Sequence, residues 1–235
     1  MERGAYAISA RALGLILLVL LTGQLYLSTV VFFVFEGLGA PASTLLYVTL
    51  LMVLIGGTTW GLHRRGGLHW RLIGGRPMSL WGWALVLPGA ILCVGSGTLF
   101  ALAMSQPNAE NLGEFTATLS QALTWQELVF RSATFCFIVP VTEELVFRGA
   151  LFSYLRERAS VVPALLLSSG MFALWHIGAL AAVSGLRDQT LLWVALTCLG
   201  LVFGIARWLT GSLLPAIVIH GLYNGWVLFL MTTLR

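Results

Sequence analysis

Val139-Pro140-Val141-Thr142-Glu143-Glu144-Leu145-Val146-Phe147-Arg148-Gly149 sets two adjacent carboxylates and an arginine inside an otherwise apolar segment. A charge at membrane depth costs several kcal/mol, so such residues point to a function and need partners. On a helix Glu144 and Arg148 stand four apart and share a face, with the carboxylate on the N-terminal side, the better order for such a pair. Glu143 is about 100° away, on a neighbouring stripe. One carboxylate is therefore held by the arginine and the other is left to face something else.

The surroundings of this stretch set the class of protein. Of the 235 residues 58% are hydrophobic and only 9% charged, where a soluble domain has about a quarter charged. The apolar runs are long and lack the period-2 alternation of a barrel, so they read as helices in a bilayer. Candidate spans of about 20 residues fall near Leu13–Phe35, Leu45–Leu62, Leu80–Met104 (with a kink expected at Pro88), Leu128–Leu151, Pro163–Val183, Leu191–Leu209 and Leu213–Met231. The expected fold is an all-α polytopic membrane protein, a bundle of about seven transmembrane helices with the site among the last four. Residues 1–124 form N-terminal helices without a recognisable motif, and 125–235 form the core that carries the chemistry.

The net charge of +4 comes from thirteen basic residues, all arginine. They gather in the leader (Arg3, Arg11), in the loop from His63 to Pro77 and at Arg156–Arg158, with Arg207 on the same side. The opposite loops carry Glu36, Glu110, Glu114 and the pair Arg187–Asp188. The positive-inside rule then places the N-terminus in the cytoplasm. No soluble basic face exists for a nucleic acid; the lipid bilayer is the surrounding partner. Cys93, Cys136 and Cys198 are scattered in separate apolar runs and give neither a disulfide framework nor a zinc knuckle. No cleavable signal peptide is apparent, because the first apolar run is too long for one.

Two of the four histidines, His63 and His69, lie in the basic loop and read as solvated. His176 and His220 lie inside apolar helices, where an imidazole needs a partner. Phe172 shares a face with His176, and Asn224 with His220. Three late helices thus point polar groups inward. Counted from the expected inner helix ends, Glu143 lies about 12 Å up, His220 and Asn224 about 10–17 Å and His176 about 20 Å. A tilt, or a later start of the fifth helix, is therefore expected to bring His176 level.

A static polar network is the plainer reading of any one of these residues. As a set, two glutamates, two histidines and an amide exceed what packing requires. A glutamate beside an imidazole can deprotonate water and return the proton, and a neutral histidine with an asparagine amide can donate to an oxyanion. Alternatively Glu143, His176 and His220 are zinc ligands. Other intramembrane chemistries lack their residues: the chain has one aspartate, Asp188, and no HExxH. Ser96, Ser168 and Ser169 lie in small-residue packing sites.

Glu143-Glu144-x-x-x-Arg148, Phe172-x-x-x-His176 and His220-x-x-x-Asn224, in this order, resemble the three motifs of the CPBP (CAAX protease and bacteriocin-processing, or Abi) intramembrane proteases, which include the type II CAAX prenyl endopeptidases. The resemblance covers about residues 125–232. It implies a glutamate-dependent intramembrane endopeptidase acting on a membrane-anchored or C-terminal processing peptide or protein substrate. By the same resemblance Glu143 is the base for water, helped by His176. His220 and Asn224 stabilise the oxyanion, Glu144 and Arg148 form the supporting pair, and Phe172 packs beside them. No cofactor is favoured, with zinc as the alternative. The compact all-arginine chain reads as a prokaryotic plasma-membrane protein, which argues against a prenylated substrate. Two other readings are a non-catalytic bacteriocin-immunity or scaffold protein, which would not need Glu143, and a small transporter. A transporter would need a polar path, and the first three spans offer little beyond Gln24 and scattered Thr and Ser.

Overall fold

The computed structural model describes residues 8–23, 40–66, 68–104, 124–176 and 185–233. The outer part of the first expected span, the loop with Glu110 and Glu114, the approach from Thr116 and the last residues of the fifth span lie outside the described residues. Those described form an all-α membrane protein with no strand among them. Its helices are α1 (Ala10–Thr22), α2 (Ala40–Arg64), α3 (Leu80–Met104), α4 (125–158), α5 (Val161–Trp175), α6 (Leu186–Thr210) and α7 (Leu214–Thr233). Segments within α2, α3 and α6 are long and apolar enough to cross a membrane, while α1, α5 and α7 are shorter apolar helices. The outward faces are apolar too: Leu80, Leu87, Ile91, Leu92 and Leu99 of α3 are exposed while Val86, Ala90 and Cys93 turn inward. That is the arrangement expected when lipid is the solvent.

α4 is longer than its apolar run. It begins at Trp125 because Thr124 and Glu127 form a reciprocal capping box. It ends at Arg158, where Ala159 turns extended. Two stretches, Ala133–Ile138 and Leu145–Leu151, are wound as π-helix on either side of Val139–Glu144. π winding costs carbonyl groups their ordinary partner, and in lipid each must find another. Asn224 Nδ2 donates to Phe135 O at 2.8 Å, and the Ser168 hydroxyl donates to Phe147 O at 2.7 Å.

The first π stretch lies against α7 at backbone distance. A methyl group on Gly221 would collide with the carbonyl oxygen of Cys136, which is backbone and cannot swing aside. Gly221→Ala should therefore cost about 1–3 kcal/mol as an overpacked contact. The readout is the thermal midpoint in detergent, and an unchanged midpoint would show that α4 and α7 can part.

One end of the bundle gathers most of the basic residues. Ile8 N–H donates to both carboxylate oxygens of Glu157 at 3.1 Å, and Arg158 donates to Ile8 O. The strap between α2 and α3 is bound to three other elements. Leu72 O accepts from Ser153 of α4 and Arg207 of α6, and Arg76 O accepts from Ser212 before α7. The start of α1, the end of α2, the start of α3, the end of α4 and the end of α6 thus meet at one level, as alternating passes require. His63 and Arg64 prolong α2 rather than opening the loop, and Arg187 and Asp188 form the first turn of α6.

The expected later start of the fifth helix is corrected. α5 starts at Val161, earlier than anticipated, and His176 is level with Glu143 because α4 runs on past Leu151. Glu143 stands fifteen residues from Arg158, and His176 fifteen from Val161, about 22 Å in each case. His220 reaches the same depth by another device. The strap dips inward until Ile73 O lies against Gly149, and Leu213 N–H donates to Gly74 O at 3.0 Å. α7 therefore starts well inside the bundle. Gly74, at φ 88, makes the turn that a side chain would strain.

Candidate active site

Glu144 and Arg148 form the buried centre. Arg148 Nη1 donates to Glu144 Oε1 at 3.0 Å, both side chains being fully buried. Arg148 Nη2 donates to Gly200 O of α6, also at 3.0 Å. The guanidinium carbon lies 4.3 Å from the ring centre of Phe172 and 5.2 Å from that of Phe203, so ring faces compensate part of its lost hydration. Gly200 leaves room for this: a methyl group there would stand 2.8 Å from Arg148 Nη2.

The same oxygen of Glu144 accepts from His220 Nδ1 at 3.0 Å. The His220 ring is stacked on Phe203, with centroids 4.7 Å apart and planes at 13°. His176 is the residue after α5, at φ −84 and ψ 26. Its Nδ1 lies 2.9 Å from Phe172 O and its ring packs edgewise on Phe172 at 4.8 Å. Phe172 thus touches both imidazoles and the guanidinium.

These partners assign the tautomers. A carbonyl and a carboxylate only accept, so each Nδ1 carries the proton and each Nε2 of a neutral ring is a lone pair. Both Nε2 atoms face Glu143. His176 Nε2 is 4.0 Å from Oε1 and His220 Nε2 is 3.9 Å from Oε2, too long for direct hydrogen bonds. Trp175 Nε1–H donates to Oε1 at 3.2 Å. Oε2 is buried and has no hydrogen-bond partner. Tyr47 of α2 lies within electrostatic reach of Glu143, and α2 packs on Val139–Glu144.

The structure therefore brings Glu143, Glu144, Arg148, Phe172, His176 and His220 together. Asn224 lies one turn beyond His220, half-buried, with one amide hydrogen given to Phe135 O. With Nδ1 committed to Glu144, His220 can donate to an oxyanion through Nε2 only as the imidazolium, not as the neutral ring expected from sequence. Among the described residues no three His, Cys, Asp or Glu side chains are arranged to hold a metal ion. Trp175, Gly200 and Phe203 were not singled out by the sequence.

Carboxylates and imidazoles thus face each other across three helices of an all-α membrane protein. Residues 124–226 match the family described as type II CAAX prenyl endopeptidase Rce1-like. All seven motif residues fall within the match, which covers less than half of the chain and supports the similarity of this segment to the CAAX (CPBP) intramembrane proteases. No curated protein and no solved structure matches the chain.

Proposed function

We propose that the protein is a glutamate-dependent endopeptidase that hydrolyses a peptide bond of a membrane-anchored substrate. The observation that carries this reading is the convergence of the Glu143 carboxylate with the bare Nε2 atoms of His176, 4.0 Å from Oε1, and His220, 3.9 Å from Oε2, about one water's reach each. Three acceptors without a proton among them suit a water molecule, which has two hydrogens to give. Glu143 takes a proton from that water as it attacks the carbonyl carbon. The proton goes on to the amine as the tetrahedral intermediate breaks its C–N bond, and the products are an acid and an amine.

The oxyanion needs donors. Asn224 has a second amide hydrogen, and protonated His220 would offer Nε2–H. Glu144 and Arg148 act by holding His220 in place. The substrate side is a peptide at the membrane, and the protein sits in a prokaryotic plasma membrane with its N-terminus in the cytoplasm.

The test is cleavage of a panel of membrane-anchored reporters, a farnesylated CAAX peptide among them, by purified protein in lipid with and without a chelator. Cleavage that persists under chelation supports water activated by Glu143 alone. Cleavage that the chelator stops and zinc restores would move the assignment to a metalloprotease. A panel left intact throughout would favour a binding role.

A further inference from the structure

We infer that Trp175 is a positioning residue that fixes which oxygen of Glu143 accepts the proton; the inference rests on the reading of Glu143 as the base. Consecutive residues on a helix point about 100° apart and do not share a target. Trp175, the last residue of α5, and His176, the residue after it, do share one. The indole N–H reaches Glu143 Oε1 at 3.2 Å, and the imidazole Nε2 stands 4.0 Å from the same atom. The end of the helix thus brings two rings to one carboxylate.

An indole is a donor only. It can neither take the proton that Glu143 accepts nor give one up. Its hydrogen bond takes one lone pair of Oε1 and lowers the basicity of that oxygen, while Oε2 is the buried oxygen without a partner, 3.9 Å from His220 Nε2. Oε2 is therefore the proton-accepting atom. The ring also leans on Phe147, centroids 6.4 Å apart, and Phe147 lies on α4 one turn after Glu143. Trp175 thus holds the carboxylate through its hydrogen bond, with its own ring resting on Phe147.

Trp175→Phe keeps an aromatic side chain at the position and removes the donor together with one ring. Two measurements on the full-length protein in lipid decide the matter. The first needs no substrate: the indole N–H signals of 15N-tryptophan protein. The signal lost in Trp175→Phe identifies Trp175, and it should move when Glu143 is changed to Gln. A signal that stays in place overturns the contact. The second uses the reporter that wild type cleaves. Trp175→Phe should lower kcat about 10- to 100-fold, the loss of one hydrogen bond to a charged group, with KM unchanged within about twofold. Unchanged kcat with raised KM would make Trp175 a substrate contact and overturn the proposal. Glu143→Gln separates the two levels of the argument. If that variant cleaves normally, the base assignment fails, whereas an inactive Glu143→Gln beside a fully active Trp175→Phe sinks the positioning role alone.

Discussion

Glu143→Gln should abolish cleavage while leaving the protein folded. The amide has nearly the shape of the carboxylate, and its oxygen can still accept the Trp175 N–H now given to Oε1. What it cannot do is take a proton from water. Removal of a positioned general base costs about 10²–10⁴-fold in rate, so turnover should fall at least a hundredfold. The thermal midpoint should hardly move. Glu143 is paired with no cation in hydrogen-bond contact, and its imidazole neighbours stand 3.9 and 4.0 Å away. Turnover within a few-fold of wild type would remove Glu143 from the chemistry. A large loss of stability would instead make its role structural.

Arg148→Ala should act on the fold itself. The guanidinium and the Glu144 carboxylate are both fully buried, and one oxygen of Glu144 takes hydrogen bonds from Arg148 and His220. Breaking a buried pair by removing one partner leaves a charge that water cannot reach, at a cost of about 3–5 kcal/mol. The same substitution empties the space between Phe172 and Phe203 and frees the Gly200 carbonyl. Unfolding in micelles should show the loss directly. Arg148→Met combined with Glu144→Leu should lose less stability than Arg148→Ala alone, since no unpaired charge then remains. It should still be inactive, because His220 would have no partner for Nδ1. A loss below about 1 kcal/mol for Arg148→Ala would contradict the idea that Glu144 depends on this arginine.

The parts legible in the sequence were those written in hydropathy and in fixed spacing. α3 coincides with its apolar run, Leu80–Met104, because nothing charged interrupts it. α4 extends beyond its apolar run at both ends. A hydropathy window detects where lipid begins, whereas the helix begins at a capping box and ends in the polar turn with Arg156 and Arg158. The pair Glu144–Arg148 and the shared face of Phe172 with His176 come from four-residue spacing. The meeting of His220 with Glu144 does not, since it depends on a strap that dips to Gly149 and starts α7 deep in the bundle. Asn224 is expected at the oxyanion, yet one of its amide hydrogens serves the Phe135 carbonyl. That carbonyl is free because Val139 N–H goes to Thr134 O in the π register and Pro140 has no N–H to give; the proline is visible in the sequence, the register is not. Trp175 is one of nine tryptophans, and only the end of α5 beside it sets it apart.

The π stretches of α4 make the helix a phase shifter. Each holds one residue more than α winding would place in the same length, so the segment before it is turned by about 100° against the segment after it. A helical wheel drawn at constant pitch from Trp125 to Arg158 therefore misplaces one end whichever end it starts from. Deleting one residue within Ala133–Ile138 would restore even winding and keep every motif residue. It would also turn Glu143 away from α5 and α7 or turn Glu127 and Arg131 into the bundle. In this helix the length of a stretch, and not only its letters, encodes which way the carboxylates face.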